Sequence, residues 1–391
     1  MVIVCVDLTK KPITDIVKSP QAQEQLLRHE SNLFTLPNRY FTTLGTNFGG
    51  RIRQVPSTQH VDARTVELSL SQNYFRICFF PNWGQDRGGN ETFTISSITD
   101  PSLCTHIMYS FARVVPENNT IGTYRPNDDG PNGGYKNITD LKKLYPDVKI
   151  ILDLGGWNHA STGFVDIISS YSRILLFSKN VCQFLTAWNF DGLDIDWEYP
   201  AHRGGKPSDK RGYTILVKTL RKTFEDEAKQ TGSPRLLLSA SVASSKKVID
   251  KAYEIDKISR YLDFLGVMPF DFFGDRYFHI LHHSALYGRN GEDSPYSESN
   301  MHYAIQYYIS KGAPRDKIIF GVPFYSRPLK LLNSSLAILG APPPPSEKNV
   351  LVIASELELG ILLEFIQTGF NWGTWDTTCE RTCVYTVFMP C

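Results

Sequence analysis

The stretch FDGLDIDWEYP, residues 190–200, carries Asp191, Asp194, Asp196 and Glu198 among residues that favour burial. Side chains alternate across a strand, so Asp194, Asp196 and Glu198 share one face while Leu193, Ile195 and Trp197 share the other. A solvated acidic edge would account for the charges but not for the Leu, Ile and Trp between them. The segment therefore reads as a buried strand whose acids lead towards its C-terminal end. Neighbouring carboxylates on one face cannot all ionise cheaply: at about 4–7 Å and an effective dielectric near 20, each like-charged pair costs roughly 2–4 kcal/mol. Sharing a proton relieves the repulsion and raises one pKa strongly. A raised Glu at the end of the strand has what a general acid needs to protonate a leaving oxygen near neutral pH.

Working outward, the same kind of segment recurs. Strand-like runs are FRICFF (75–80), CTHIMYSFA (104–112), KIILDL (149–154), DGLDIDWE (191–198), LLLSASVA (236–243), LDFLGVMPF (262–270) and KIIFGVPFY (317–325). Helix-period segments lie between several of them, notably residues 165–188 and 213–230. Near-continuous apolar strands separated by helices are the pattern of a parallel sheet covered on its outside. The repetition predicts an α/β fold, a (β/α)8 TIM-type barrel rather than a doubly wound sheet. No glycine-rich loop opens a helix, which argues against a dinucleotide site. In such a barrel the C-terminal ends of the strands face the active-site mouth, and Glu198 stands at one of them.

The flanks read differently. Residues 1–74 hold a short apolar piece followed by unpatterned polar sequence, and are set apart as an N-terminal extension. Residues 75–328 form the barrel domain. Residues 329–391 contain a proline run (Pro342 to Pro345) that is neither helix nor central strand. SELELGILLEFIQTG (355–369) then reads as an amphipathic helix and CVYTVFM (383–389) as a strand, and no clear eighth β/α unit follows. MVIVCV at the N-terminus is a weak candidate for the missing strand.

Composition narrows the function classes. The 391 residues are 41% hydrophobic and 21% charged with a net charge of +1, which gives no reason to propose a nucleic-acid partner. No apolar run approaches the ~18 residues of a membrane span. The 7 cysteines have neither the density of a disulfide scaffold nor zinc-site spacing. His279, His282 and His283 lack partner ligands at metal spacing and read as loop residues, while Cys182 reads as core. Neither a metal nor any other cofactor is expected. Sequons at Asn90, Asn118, Asn137 and Asn333 lean towards a secreted glycoprotein. Against this, Asp7 stops the first apolar run and the positive charges follow it, which is not the pattern of a signal peptide.

DGLDIDWEYP closely resembles the D-x-x-D-x-D-x-E signature of glycoside hydrolase family 18, the chitinases. FRICFFPNW, LCTHIMYSFA, LGGWN and GVPFYSR resemble that family's other strand ends in the same order, most like the animal members. The resemblance implies retaining hydrolysis of β-1,4-linked N-acetylglucosamine polymers, in which the sugar's own 2-acetamido oxygen is the nucleophile. By position, Glu198 is implied as acid and then base, Asp196 as holder of the acetamido N–H, and Asp191 and Asp194 as support beneath them. Trp83 and Trp157 are implied as faces on which sugar rings stack, although isolated tryptophans are also ordinary core residues. Phe79, Met268, Phe270, Asp271, Tyr325 and Arg327 fall at positions that contact sugar in the family. Cys78 and Cys104 fall where animal members place a disulfide. The implied partner is chitin or a chito-oligosaccharide, with no membrane and no nucleic acid, and the protein is expected to be an extracellular monomer.

Several positions depart from the pattern. Phe79 and Phe270 stand where the family commonly has Tyr, and the family's sixth-strand hydroxyl is expected to bond the attacking acetamido oxygen. Asp153 stands where a small residue is usual and would raise the cluster's pKa values further. The end of the family's insertion domain, its seventh helix and its eighth strand have no counterpart. These departures predict an acid-shifted or weakened enzyme, with a non-catalytic chitin-binding lectin of the same fold as the alternative.

Overall fold

An apolar strand needs cover on both faces, and curling a sheet over its own side chains supplies one of them. The computed structural model describes residues 75–89, 92–273, 283–288 and 296–323. Its strands are β1 (Ile77–Pro81), β2 (His106–Val115), β3 (Thr120–Thr123), β4 (Lys149–Gly155), β5 (Gly192–Asp196), β6 (Leu237–Ala243), β7 (Phe264–Met268) and β8 (Ile318–Phe320). Seven of them pair in parallel in the order β1-β2-β4-β5-β6-β7-β8, and β3 pairs antiparallel with β2. Ile77 and Phe79 of β1, Met108 of β2, Ile151 of β4, Phe264 of β7 and Ile319 of β8 form one buried cluster. Side chains from both ends of the strand order meet there, so the sheet is curled around a filled interior. Among the described residues β1 and β8 are not hydrogen bonded to each other. The N-terminal extension (1–74) and the C-terminal segment expected to begin an insertion domain (329–391) lie outside the described residues.

The outer face is covered by α1 (Gly134–Asp140), α2 (Phe164–Ile167), α3 (Tyr171–Ala187), α4 (Asp209–Thr231), α5 (Lys246–Ala252), α6 (Ile255–Ile258) and α7 (Met301–Ser310). In α4 the buried residues Tyr213, Leu216, Val217, Leu220 and Phe224 follow the helical period and form one stripe. Its end is set by Gly232 at φ 71°, a left-handed cap that glycine adopts without penalty. The helical run expected over 165–188 is divided in two, because the Ser170 hydroxyl accepts from the Arg173 N–H and caps a new helix start.

Two further differences from the sequence reading matter. β2 runs on to Val115 and returns as β3 through a turn in which Asn119 sits at φ 48°, a conformation that Asn tolerates better than most residues. This hairpin is unexpected because its strands project beyond the parallel core and carry little apolar pattern. The acid-bearing strand β5 ends at Asp196, and Trp197 and Glu198 follow it at the mouth. Cys78 and Cys104 form a disulfide, with Cα atoms 5.9 Å apart, that ties β1 to the segment entering β2. Cys182 is buried.

Candidate active site

Strand register assembles the acids. Asp153 of β4 lies opposite Asp194 of β5, and Gly155 lies opposite Asp196. Asp194 is fully buried and accepts from Ser239 Oγ at 2.5 Å, Ser241 Oγ at 2.8 Å and the Ser241 N–H at 3.1 Å. Burial raises its pKa to about 6, against the pull of those three donors. Asp153 is also fully buried and accepts from Ser110 Oγ at 2.7 Å. Burial first, and then the charges of Asp194 and Glu198, push its pKa well above the usual carboxylate range. Asp196 is raised well above that range too, by burial and then by Glu198, Asp153 and Asp194. One oxygen each of Asp153 and Asp196 is buried with no hydrogen-bond partner among the described residues. Protonated carboxyl groups suit such an environment better than charged ones.

Glu198 stands above these three at the mouth, 9% exposed. Burial raises its pKa to about 7, opposed by the Tyr199 hydroxyl and the Arg203 guanidinium and reinforced by Asp271. The strand alternation places Trp197 on the outer side, where it stacks on Phe164 at 4.9 Å and donates from Nε1 to Ser161 Oγ at 2.9 Å. The glycine pair after β4 has a steric reason. A Cβ at Gly155 (φ 121°) would lie 2.2 Å from the Asp196 carbonyl oxygen, and one at Gly156 (φ 86°) would lie 2.8 Å from the Phe111 ring. The Glu198–Tyr199 and Ser110–Phe111 peptide bonds are cis.

The remaining candidate residues are distributed around this cluster. Phe79 and Met268 line a small cavity with Asp194 and Ser241. Phe270 is half-buried and packs against the interior cluster. Asp271, at φ 57°, has its carboxylate 3.6 Å from His283 Nδ1, which brings that histidine to the rim. Trp83 and Trp157 are 44% and 59% exposed, so neither is a core residue. Trp83 stacks on Phe111 with ring centroids 5.7 Å apart, and the Arg203 guanidinium carbon sits 3.7 Å from the Trp157 ring centroid. Arg203 also donates to the backbone oxygens of Trp157 at 2.5 Å and Glu198 at 3.2 Å, linking the acid to the indole. Tyr325, Arg327, Asn90, Asn333, His279 and His282 lie outside the described residues. Asn118 and Asn137 are both exposed, on the β2–β3 turn and on α1.

Asp191 does not join the cluster. It precedes β5 at the opposite end, where it accepts the Ile150 N–H at 2.8 Å and pairs with Lys142 at 3.1 Å. Its work there is to align the entrances of β4 and β5. Removing it strips the acceptor from a buried N–H, which typically costs about 1–3 kcal/mol. Asp191→Ala is expected to lower thermal stability by about that much and leave the pH dependence of any activity unchanged, as read by thermal unfolding and a rate–pH profile.

Ser110, Ser239, Ser241, Tyr199 and Arg203 complete the site without having been singled out from the sequence, and His283, expected as a loop residue, joins them through Asp271. A signal for two of them is visible. LLLSASVA places Ser239 and Ser241 two apart in an otherwise apolar strand, hence on one face beside β5. Among the described residues there is no group of three His, Cys, Asp or Glu side chains arranged to hold a metal ion, and no helix is long and apolar enough to cross a membrane.

The curled parallel sheet thus sets buried carboxylates beneath a raised acid at its C-terminal mouth, beside exposed indoles. The sequence profile of glycosyl hydrolases family 18 matches residues 76–380, and the chain belongs to that family. It is 37% identical to mouse chitotriosidase-1 over 284 residues, covering 71% of this chain and 60% of that protein. The crystal structure of an immunomodulatory active chitinase from Trichuris suis superposes with a TM-score of 0.64 at 33% identity, over 69% of this chain and 71% of that one. Human YKL-39, a pseudo-chitinase with retained chito-oligosaccharide binding, superposes with a TM-score of 0.63 at 32% identity, over 70% of this chain and 73% of that one. The chain spans between 51% and 60% of the length of four curated relatives that it matches.

Proposed function

We propose that this protein is a chitinase that hydrolyses β-1,4 linkages between N-acetylglucosamine units with retention at the anomeric carbon, its curled sheet serving as the family's barrel. The observation that carries the reading is Glu198, held at the mouth with its pKa raised to about 7 above three buried acids. A carboxyl group of that pKa is largely protonated in mildly acidic solution and can donate to the leaving glycosidic oxygen. Its conjugate base then takes a proton from the incoming water. Asp196, next on the same face, holds the acetamido N–H while the acetamido oxygen attacks the anomeric carbon. Asp194, fixed by Ser239 and Ser241, is the next acid along the same face, and its charge helps to raise the pKa of Asp196. Trp83 and Trp157 offer their exposed faces to sugar rings. Incubation with a chito-oligosaccharide, followed by NMR of the fresh products, tests this: β-anomers are expected first, and α-anomers would exclude the mechanism.

The second reading is a chito-oligosaccharide-binding lectin, favoured by Phe79 and Phe270 at positions where the family commonly carries hydroxyl groups. Binding without any product would establish it. Family membership and the exposed sequon at Asn118 support an extracellular, glycosylated setting for either reading.

The buried acids make a pH-dependent prediction. Their folded pKa values lie above the unfolded values of about 4. The folded state thus holds protons that the unfolded chain has released. Stability from this source is full below about pH 4 and is lost as pH rises through about 6 for Asp194 and about 7 for Glu198. Asp153→Ser is expected to raise the melting temperature at pH 8 and change it little near pH 4. Thermal unfolding across that range checks this, and an equal shift at both ends would contradict it.

A further inference from the structure

Asp128 is fully buried in the loop between β3 and α1, and none of its hydrogen bonds goes to the acid cluster. Its two oxygens hold separate parts of the chain. One accepts from the Tyr109 hydroxyl of β2 at 2.8 Å, and the other accepts from Asn82 Nδ2 at 3.0 Å. Asn82 Nδ2 also donates to the Phe111 carbonyl at 3.1 Å. Asn82 is buried and opens the short 3-10 turn Asn82–Asp86, whose second residue is Trp83. The far end of that turn is held as well: Arg125 Nε donates to Asp86 at 2.8 Å, and its guanidinium lies 3.5 Å from Asp128.

The fit around this junction is close. A Cβ at Gly134 would fall 1.9 Å from the Tyr109 hydroxyl and 2.5 Å from Asp128, so only glycine lets the start of α1 pack this closely on the pair. Phe111, whose carbonyl Asn82 holds, is also the ring on which Trp83 stacks, with planes within 10° of parallel. The Asp128 carboxylate thus ties the loop after β3 to β2 and, through Asn82, to the turn and to the backbone of the ring beneath the indole. An exposed indole binds a sugar ring well only when its plane is fixed beforehand, because a mobile platform must be ordered on binding.

We propose that Asp128 is a positioning residue for oligosaccharide binding, holding the turn that carries Trp83, which follows β1 three places from β5 in the strand order, and so setting the affinity for sugars long enough to reach from Glu198 to that indole. This rests on the cleft reading above, in which Trp83 is a sugar platform. The test measures dissociation constants by titration calorimetry for N,N′-diacetylchitobiose and for the hexasaccharide, in a Glu198→Gln background that prevents cleavage. Asp128→Asn and Arg125→Met are each expected to weaken hexasaccharide binding by about tenfold and to leave the disaccharide within about twofold. Arg125→Met releases the far end of the turn and leaves the carboxylate's hydrogen bonds from Tyr109 and Asn82 in place, so it carries the test should Asp128→Asn fold poorly. Combining either change with Trp83→Ala should add little to Trp83→Ala alone. Full hexasaccharide affinity in both single variants, with Trp83→Ala weakened, overturns the role of Asp128. So does equal weakening for both sugar lengths. Trp83→Ala without any length-dependent loss overturns the platform reading, and the proposal with it.

Discussion

Replacing Glu198 with Gln is expected to abolish hydrolysis of a labelled chito-oligosaccharide while leaving its binding and the melting temperature close to wild type. Four carboxyl groups share this interior, but Asp153 and Asp194 have no exposed surface and Asp196 has almost none. Glu198 alone among them stands past the end of its strand at the mouth. Glutamine preserves its shape and its capacity to pair with the Tyr199 hydroxyl, and removes only the transferable proton. Loss of a positioned general acid typically costs 10²- to 10⁴-fold in rate. Relieving one buried carboxyl of its charge should not unfold the chain, because burial already opposes that charge. A residual rate within tenfold of wild type would move the acid role to another residue. Identical silence in the wild-type protein, with binding intact, would favour the lectin.

How much of this was legible beforehand follows from what each feature depends on. The α/β class and the placement of Asp194, Asp196 and Glu198 on one face depend on period and on neighbouring residues in the chain, which sequence displays directly. What holds those acids depends on neighbouring strands. Ser239 and Ser241 reach Asp194 across the β5–β6 register, and Ser110 reaches Asp153 from β2, pairings between residues more than forty positions apart in the chain. Asp191 shows the converse. Grouped by sequence with the other acids, it belongs by geometry to the far end of the strand, where Lys142 and the Ile150 N–H claim it. A motif lists residues that are near in the chain, and a strand separates them by about 3.3 Å at every step.

The hairpin β2–β3 and the Asp128 junction were opaque for a related reason. Asp128 lies in a stretch rich in Asn, Asp and Gly that reads as an ordinary exposed loop, and in sequence nothing distinguishes its buried carboxylate from the exposed Asp129 beside it. His283 likewise reads as one of three loop histidines until the fold brings it to Asp271.

The second large effect is a gain. Phe270→Tyr is expected to raise kcat by about 10- to 10³-fold with a smaller change in KM. Along β7 and past its end, Phe264, Met268 and Phe270 alternate onto the interior face: Phe264 lies in the buried cluster, Met268 borders the cavity beside Asp194, and Phe270 packs against that cluster. Phe270 immediately precedes Asp271, whose charge is felt at Glu198. In family members with Tyr here, the hydroxyl is expected to bond the acetamido oxygen as it attacks, and a donor of this kind is typically worth about 2–4 kcal/mol in the transition state. A phenyl ring can pack against the sugar but cannot make that bond, so the wild-type chain should bind substrate better than it turns it over. The position is half-buried rather than sealed, which gives the added oxygen room at a cost below that of overpacking a closed core. Steady-state kinetics on one oligosaccharide, wild type against variant, decide the matter. A change in KM alone would assign the ring to ground-state binding. A rise in kcat would mean that the acids are already competent and that the missing hydroxyl is what separates this chain from a fully active member of its family.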